Sequence, residues 1–368
     1  MGTTPTQARD RLARLLRLVR GGRRAVIAAQ DRPDPDGMAS AAALKHLLQH
    51  KTRLDVVIAA SGESGRAENR ATLQLLGEPL EDLDALDLAA FDLRILVDTQ
   101  PGFGNNSWPP HVPVHIVFDH HPRGQGIEPG QVADIRPDYG AASTIMTEYL
   151  RAAALEPPHQ LATALLYGIK TDTQDLTRGA SPADSEAFLY LYPRANHRLL
   201  AKIERERLPR TYFANLAHAL LRCRLYDSVA ICAFGPVESP DVLSEMADLF
   251  LRIEGVRWVL CHGIYDHQLH LSARTVLRRG TAGDVMNALL DGIGEGGGHD
   301  MMAGGQADLP ADGQMDDMCR EIELKFLRAL DIQSRTPEPL VPNPPAPAPP
   351  APQAQAAPHE QPPPPAAQ

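Results

Sequence analysis

The chain has 368 residues, 43% of them hydrophobic, and a formal net charge of −10. Its length leaves room for two domains, each with a sizeable core. Its acidic balance argues against a broad nucleic-acid-binding surface, so an anionic substrate must be captured by a local cluster of cations.

The N-terminus is Arg-rich, with Leu12, Leu15, Leu16 and Val19 at helical spacing. That pattern predicts an amphipathic helix lying on a domain. No apolar signal-peptide core follows it, and no stretch is long enough to span a bilayer. Four short, β-rich segments come next: AVIAA, LDVVIAA, LRILVD and VHIVFD. Their nearly continuous hydrophobicity predicts strands buried on both faces, as in a parallel sheet. Helices over 37–50, 66–76, 140–155 and 159–170 complete a βαβ alternation, hence a doubly wound α/β domain over residues 1–195.

SPADSEAFLYLY begins with a Ser cap and a Pro at the first helical position. Helical sequence runs from about 181 to 222, with 196–222 as a connector. A smaller α/β domain over 223–335 then carries SVAICAF, WVLCHGIY and QLHLSAR, a glycine-rich loop, and a helix near 315–330. From Thr336 the composition changes, and fourteen of the 33 prolines lie between Pro337 and Pro365. Such a segment cannot bury a core, so 336–368 reads as a disordered tail, either a solvated spacer or a polyproline-II ligand for a partner. Cys223, Cys232, Cys261 and Cys319 lack CxxC spacing and read as reduced, packed thiols of a cytoplasmic protein.

Acidic and imidazole side chains recur where the apolar segments stop. Asp34 and Asp36 follow the first, Asp98 ends the third, Asp119-His120-His121 ends the fourth, and Asp172 sits in GIKTDTQ. Ligands of open α/β sheets bind outside the carboxyl ends of the strands. Carboxylates and imidazoles without a thiolate suit Mn²⁺ or Mg²⁺ better than structural zinc. The chemistry implied is hydrolysis at phosphorus by metal-activated water. A two-metal centre needs a bridging anion, for which Asp98 is the candidate, with His120 and Asp172 as terminal ligands. Each piece alone is commonplace: PDPDG is an ordinary turn, and Asp98 or Asp172 could cap a segment. Their joint order favours the functional reading.

QDRPDPDGMAS, LVDTQ, FDHHPRG and GIKTDTQ, followed by GEGGGHDMMAGG, resemble the motifs of the DHH phosphoesterase superfamily and its associated C-terminal domain. Within it the chain is most similar to the nanoRNase and pAp-phosphatase branch. The resemblance covers about residues 20–330. It implies an active-site cleft between the two domains and metal ligation by Asp34, Asp36, Asp98, His120 and Asp172. His121 would lie beside the metals, and Asp119 would orient the loop. The family's first motif usually begins with a histidine where this chain has Gln30, a neutral and poorer ligand for Mn²⁺, so one of two metal positions should be weaker. On the substrate side the resemblance implies Arg274 on a phosphate, with His299 and the backbone of Gly296, Gly297 and Gly298. Arg123 and Arg178 face either the cleft or solvent.

These features imply a Mn²⁺-dependent phosphoesterase, with Mg²⁺ as an alternative, acting on short oligonucleotides or phosphorylated nucleotides such as pAp. Exopolyphosphatase, cyclic-dinucleotide phosphodiesterase and a weakly active nucleotide sensor are the competing readings. A homodimer and a partner for the proline-rich tail are left open.

Overall fold

The computed structural model describes residues 4–62, 65–124, 132–277, 282–299, 301–310, 315–334 and 336–342. It divides into two units, one of Met1–Phe213 with Val237–Glu245 and one of Ala214–Pro236 with Met246–Gln368.

The first unit runs α1 (Pro5–Leu18), β1 (Arg24–Ala28), α2 (Pro35–Lys51), β2 (Asp55–Ala60), α3 (Ala67–Leu76), β3 (Leu80–Asp82), β4 (Leu93–Val97), β5 (Ile116–Asp119), β6 (Val132–Ile135), α4 (Ala142–Ala152), α5 (His159–Asp172), α6 (Pro182–Leu191) and α7 (His197–Glu204). All six strands are parallel, in the order β3-β2-β1-β4-β5-β6. The order reverses between β1 and β4, so the crevice at their carboxyl ends is the topological switch point.

Side-chain alternation along the strands builds two cores. Ile27, Ile58, Ile95, Val97, Ile116 and Phe118 face the helices and join Leu44, Leu47, Ile145 and Leu165. Val26, Ala28, Ala59, Leu96 and Val117 face the other way, onto Leu83, Leu88, Phe91, Trp108 and Val114. This second face is a difference from the expected double winding. The topology is doubly wound, but single 3₁₀ turns (Leu83–Ala85 and Leu88–Ala90) and irregular chain replace helices there. The local reason is chemical. Asp82 and Asp87 each cap one turn by accepting from an N–H two residues on. The segment 101–113 is too rich in Pro, Gly and Asn to hold a helix.

Capping fixes the helix starts that matter for the site. Asp34 caps α2, its Oδ1 accepting from Gly37 N–H at 3.0 Å, with Pro35 at the first position. The expected Ser181 cap of α6 is present as a reciprocal capping box with Asp184. Buried Ala39, Ala41, Ala42 and Ala43 let α2 approach its neighbours closely. Gly168 in α5 permits the tightest approach, because a Cβ there would stand 2.9 Å from Asp36 Oδ1.

α8 (Arg210–Arg222) begins in the first unit and ends in the second, as does α9 (Asp241–Phe250). The second unit holds β7 (Arg224–Tyr226), β8 (Val229–Pro236), β9 (Trp258–Tyr265), β10 (Gln268–Thr275), α10 (Ala282–Leu290), β11 (Gly294–His299), β12 (Met302–Asp308), α11 (Met315–Ala329) and β13 (Glu338–Pro339). Its sheet runs β11-β12-β10-β9-β8-β7-β13, with only the β8–β9 pair parallel. Trp258, Leu260, Leu271, Met286, Leu290 and Phe326 form its core.

Two expectations need correction here. The glycine run is a strand pair rather than a loop: Gly296, Gly297 and Gly298 pair with Gly305, Gly304 and Ala303. Glycine is required because side chains would collide. A Cβ on Gly296 would meet Met286 and Leu290, and one on Gly283 of α10 would strike the Gly298 carbonyl. The chain also keeps structure past Thr336, since Glu338 and Pro339 pair with Leu225 and Arg224, and Leu340 N–H reaches the Cys223 carbonyl. The rest of the expected tail, 343–368, lies outside the described residues. No helix among the described residues is long and apolar enough to cross a membrane.

Candidate metal centre

Four chain segments bring acid and imidazole groups to the switch point. β1 leads to Gln30, Asp34 and Asp36, β4 to Asp98, β5 to Asp119-His120-His121, and α5 ends on Asp172. Ligand atoms of Asp36, Asp98, His120 and Asp172 all lie within 4.8 Å of one another. A second set, Asp98, Asp119, His120 and His121, meets the same limit and shares Asp98 and His120 with the first. Asp34 is outside both sets, yet it is close enough for Asp172 and Asp98 to perturb its titration.

Asp98 is the centre of the arrangement. It is 1% exposed and has a left-handed backbone, φ +60°, which its N–H bond to the Phe118 carbonyl helps to hold. Such a conformation costs an L-residue about 1–3 kcal/mol and persists where surrounding contacts over-determine it. Asp98 Oδ2 accepts from Gln30 Nε2 at 3.0 Å. Its Oδ1 lies 3.3 Å from His120 Nε2, which in turn is 3.4 Å from Asp172 Oδ2.

The second imidazole nitrogen fixes the tautomer. His120 Nδ1 lies 3.3 Å from the Tyr139 carbonyl, so it carries the proton and donates. Nε2 then faces two carboxylates and is the nitrogen that could offer a lone pair to a cation. Gln30 Oε1, Asp98 Oδ1 and His120 Nε2 are buried and have no hydrogen-bond partner among the described residues. Leaving such groups unpaired is expensive. Three carboxylates and one imidazole, with no thiol near them, fit a hard divalent cation such as Mn²⁺ or Mg²⁺.

Titration follows from the crowding. Burial, then Asp172 and Asp98, push the Asp34 carboxyl up to about 7. Asp36 is raised well above its usual range by burial and the same two neighbours, and Asp98 is raised chiefly by burial. Burial alone would lower His120, but the Asp172 and Asp98 carboxylates beside it outweigh that and raise it well above normal. The cluster therefore holds protons where a cation would otherwise neutralise it.

The surrounding residues immobilise these groups. Both oxygens of Asp36, which is fully buried, accept N–H groups at the start of α4, from Ala142 at 2.6 Å and Ser143 at 2.8 Å. Asp119 accepts from His121 Nδ1 at 2.8 Å and from the backbone N–H groups of His120 and His121. Gln100 clamps the same loop, its Nε2 donating to Asp119 Oδ2 at 2.6 Å and its Oε1 accepting from Gly124 N–H. Asp184 accepts from Gly140 N–H and Ser181, bracing the turn before α4. The sequence gives Gln100, Asp184 and Gly168 no role. Gln100 does fall inside LVDTQ, two residues after Asp98, which was the available signal.

The expected substrate-side residues are more dispersed. Arg178 Nη2 donates to the Asp172 main-chain carbonyl at 3.4 Å, at the end of α5, whereas Arg123 is exposed. Arg274 is 7% exposed at the end of β10, with Nε on Asp248 at 2.6 Å and Nη1 on Ser272 Oγ and the Ala273 carbonyl. Gly296, Gly297 and Gly298 lie in β11, where a Cβ on Gly297 alone of the three would enter open space. His299 is the last residue of that strand, and its side chain lies outside the described residues.

Comparison with known proteins follows this division of the chain. Residues 24–169 match the DHH family N-terminal domain and 227–326 match the DHHA1 domain. An uncharacterised protein of Methanocaldococcus jannaschii is 34% identical over 273 residues, 74% of this chain and 55% of that protein. The A-adding tRNA nucleotidyltransferase of Geobacter sulfurreducens is 27% identical over 67% of this chain and 28% of its own length. The chain thus spans about half or less of these curated relatives. Among solved structures, an exopolyphosphatase-related protein from Bacteroides fragilis superposes with a TM-score of 0.65 at 14% identity, covering 87% of this chain and 96% of that one. RecJ from Thermus thermophilus, solved with Mn²⁺, superposes with a TM-score of 0.50 at 17% identity, covering 87% and 55%. At these identities the likeness is one of fold. With both domain signatures in order and an Asp/His cluster at the strand ends, the chain belongs to the DHH family.

Proposed function

We propose that this chain is a Mn²⁺-dependent phosphoesterase that hydrolyses short oligonucleotides or pAp. One observation carries the reading. Asp36, Asp98, His120 and Asp172 converge within 4.8 Å while buried Asp98 Oδ1 and His120 Nε2 lack hydrogen-bond partners. A divalent cation satisfies both atoms at once. When bound, it supplies a nucleophilic water at neutral pH and neutralises phosphate charge.

The chain's own residues do the rest. Asp98, a member of both ligand sets, has the two oxygens that two cations could share, while His120 Nε2, Asp36 and Asp172 would each hold one. His121 is held by Asp119, which raises its pKa against the effect of burial. It is therefore oriented to donate to a phosphate oxygen. Arg178, at Asp172, can take a further oxygen. Within the second unit, Arg274, whose Nε and Nη1 are already bonded, His299 and the Gly296–Gly298 backbone are the candidate phosphate-binding groups. Membership of the DHH family supports the class of reaction, and the acidic net charge favours short substrates over long polymers.

The test is a substrate panel with Mn²⁺: pAp, the dinucleotide pApA, cyclic di-AMP and polyphosphate. Release of phosphate from pAp or of mononucleotides from pApA, abolished by a chelator, is the expected result. Turnover of only polyphosphate or only cyclic di-AMP would move the assignment to that substrate. Turnover of none would overturn it.

A further inference from the structure

Beside the loop that carries Asp34 and Asp36 the chain braces an arginine whose guanidinium has no partner among the described residues. Arg32 lies two residues before Asp34, in the turn from β1 to α2. Its backbone is left-handed, φ +49°, a conformation disfavoured for a residue with a long side chain. Contacts on three sides hold it there. Arg32 N–H donates to the Ser61 carbonyl at 2.8 Å. On the other side, Asp31 N–H donates to the Asn105 carbonyl, and the Asp31 carboxylate accepts from Ser107 N–H at 2.9 Å and Ser107 Oγ at 2.7 Å. The Arg32 stem lies over Gly62, where a Cβ would stand 3.0 Å from Arg32 Cγ and 3.7 Å from Cδ. Gly62 has φ +76°, so the bare surface under the stem is also conformationally required.

No carboxylate or carbonyl among the described residues takes the Arg32 guanidinium N–H groups. Next to it is a second unsatisfied group. Ser61 is 5% exposed, and its Oγ has no hydrogen-bond partner among the described residues. A buried hydroxyl left unpaired costs about 1–3 kcal/mol. Both residues follow the carboxyl ends of adjacent strands, β1 and β2, and the same β1 turn continues into Asp34 and Asp36. A solvated surface arginine has no need of a strained backbone held from three sides. An arginine that must meet an anion in a set place does.

We propose that Arg32 and Ser61 form an anion subsite for a second phosphate of the substrate, beside the phosphate held at the carboxylate–imidazole cluster. The proposal rests on the phosphoesterase reading. The guanidinium offers two parallel N–H donors to a phosphate, and the Ser61 hydroxyl offers a third. The subsite would make the protein prefer a nucleotide with two phosphate groups to one with a single phosphate. Neither residue is a ligand in the metal sets described above.

The experiment is a calorimetric titration of the full chain with pAp and with AMP, using Ca²⁺ in place of Mn²⁺ to hold turnover down. The parent should bind pAp more tightly. Arg32→Ala should lose about tenfold for pAp, about 1.4 kcal/mol, and less than about twofold for AMP. Arg32→Lys should recover part of the loss, and Ser61→Ala should lose about threefold for pAp. Equal losses for both nucleotides, no loss for either, or a parent that binds neither would overturn the subsite. Because the readout is binding, it is separable from hydrolysis. A parent that discriminates pAp through Arg32 but turns over nothing in the substrate panel sinks the enzymatic reading and leaves the subsite standing. Melting temperatures of all variants within about 2 °C of the parent exclude loss of fold as the cause.

Discussion

In the second unit, Glu323 is 7% exposed and accepts from His262 Nε2 at 2.9 Å and from Arg224 Nη2 at 2.5 Å. In the first, Asp98 is 1% exposed, and its Oδ1 lies 3.3 Å from His120 Nε2 and 3.9 Å from His121 Nδ1 without a hydrogen bond to either. Both clusters combine a carboxylate and an imidazole, and both are buried. The Glu323 cluster is neutralised by the chain itself. The Asp98 cluster is left with unsatisfied atoms, on a backbone held at a left-handed angle. Buried polar groups in native proteins are nearly always satisfied, so satisfaction reads as structure and its absence reads as a place kept for something else. Titration separates the two in the same way. Glu323 is lowered: burial would raise it, but the His262 bond and Arg224 outweigh burial. Asp34 and Asp98 are raised, because in their cluster burial is not outweighed.

The sharpest way to break this contrast is Asp98→Asn. If Asp98 is kept short of charge for a cation, the change should cost roughly a thousandfold in activity, about 4 kcal/mol, together with most of the Mn²⁺ affinity. The metal-free fold should not suffer. At pH 8 the variant should melt at or above the parent, because one of several crowded carboxylates has become neutral. Calorimetric Mn²⁺ titration and a melting curve in chelator read both effects. A variant that keeps its Mn²⁺ affinity, or that unfolds more easily without metal, would show Asp98 to be structural.

Glu323→Ala is the converse. Removing the carboxylate leaves His262, 3% exposed, and Arg224 without their partner, and breaking a buried pair in this way costs about 3–5 kcal/mol. Chemical denaturation followed by Trp258 fluorescence should report it, because Trp258 lies in the same core. The pH signs are opposite for the two clusters. A lowered carboxyl such as Glu323 contributes stability that is full above its unfolded pKa of about 4.5 and is lost as pH falls through the folded value. Asp34, raised to about 7, stabilises the metal-free fold below about 4 and loses that contribution as pH rises towards 7. Glu323→Ala should therefore flatten the acid limb of the stability curve and leave the limb near neutrality. Loss of the neutral limb instead would show that the two clusters are not independent.

The same contrast explains what the chain discloses before it is folded. Strands β1, β2, β4 and β5 are legible because their apolar runs are continuous and end on acids. The Ser181 cap is legible because its chemistry is local. β3 and β6 are three and four residues long, only partly buried or exposed, and carry no comparable run. The glycine segment reads as a loop because glycine favours loops. The strand pairing depends on α10, whose Met286 and Leu290 leave no room for a Cβ. Asp36 shows the limit most clearly. Its spacing from Asp34 suggests two carboxylates reaching for cations. Its grip on the start of α4, more than a hundred residues away, is tertiary and leaves no trace in the spacing.

Gln30→His has the smallest expected effect and tests the site's own asymmetry. The Gln30 amide donates through Nε2 to Asp98 Oδ2, and its Oε1 is buried against Gly37 without a partner. As it stands, the amide holds Asp98 and offers a divalent ion only a neutral oxygen. An imidazole is a better donor to Mn²⁺. Gly37 matters here, because a Cβ in its place would overlap Gln30 Oε1, so the pocket already accommodates a side chain reaching over the start of α2. The substitution should raise Mn²⁺ affinity at one of two binding steps by about tenfold, about 1.4 kcal/mol, and leave the other step unchanged. Two-site calorimetric titration resolves the steps. Coincident isotherms for parent and variant would mean that Gln30 is a clamp on Asp98 and borders no metal position at all. In that event one cation, held by Asp36, Asp98, His120 and Asp172, would suffice to neutralise the cluster.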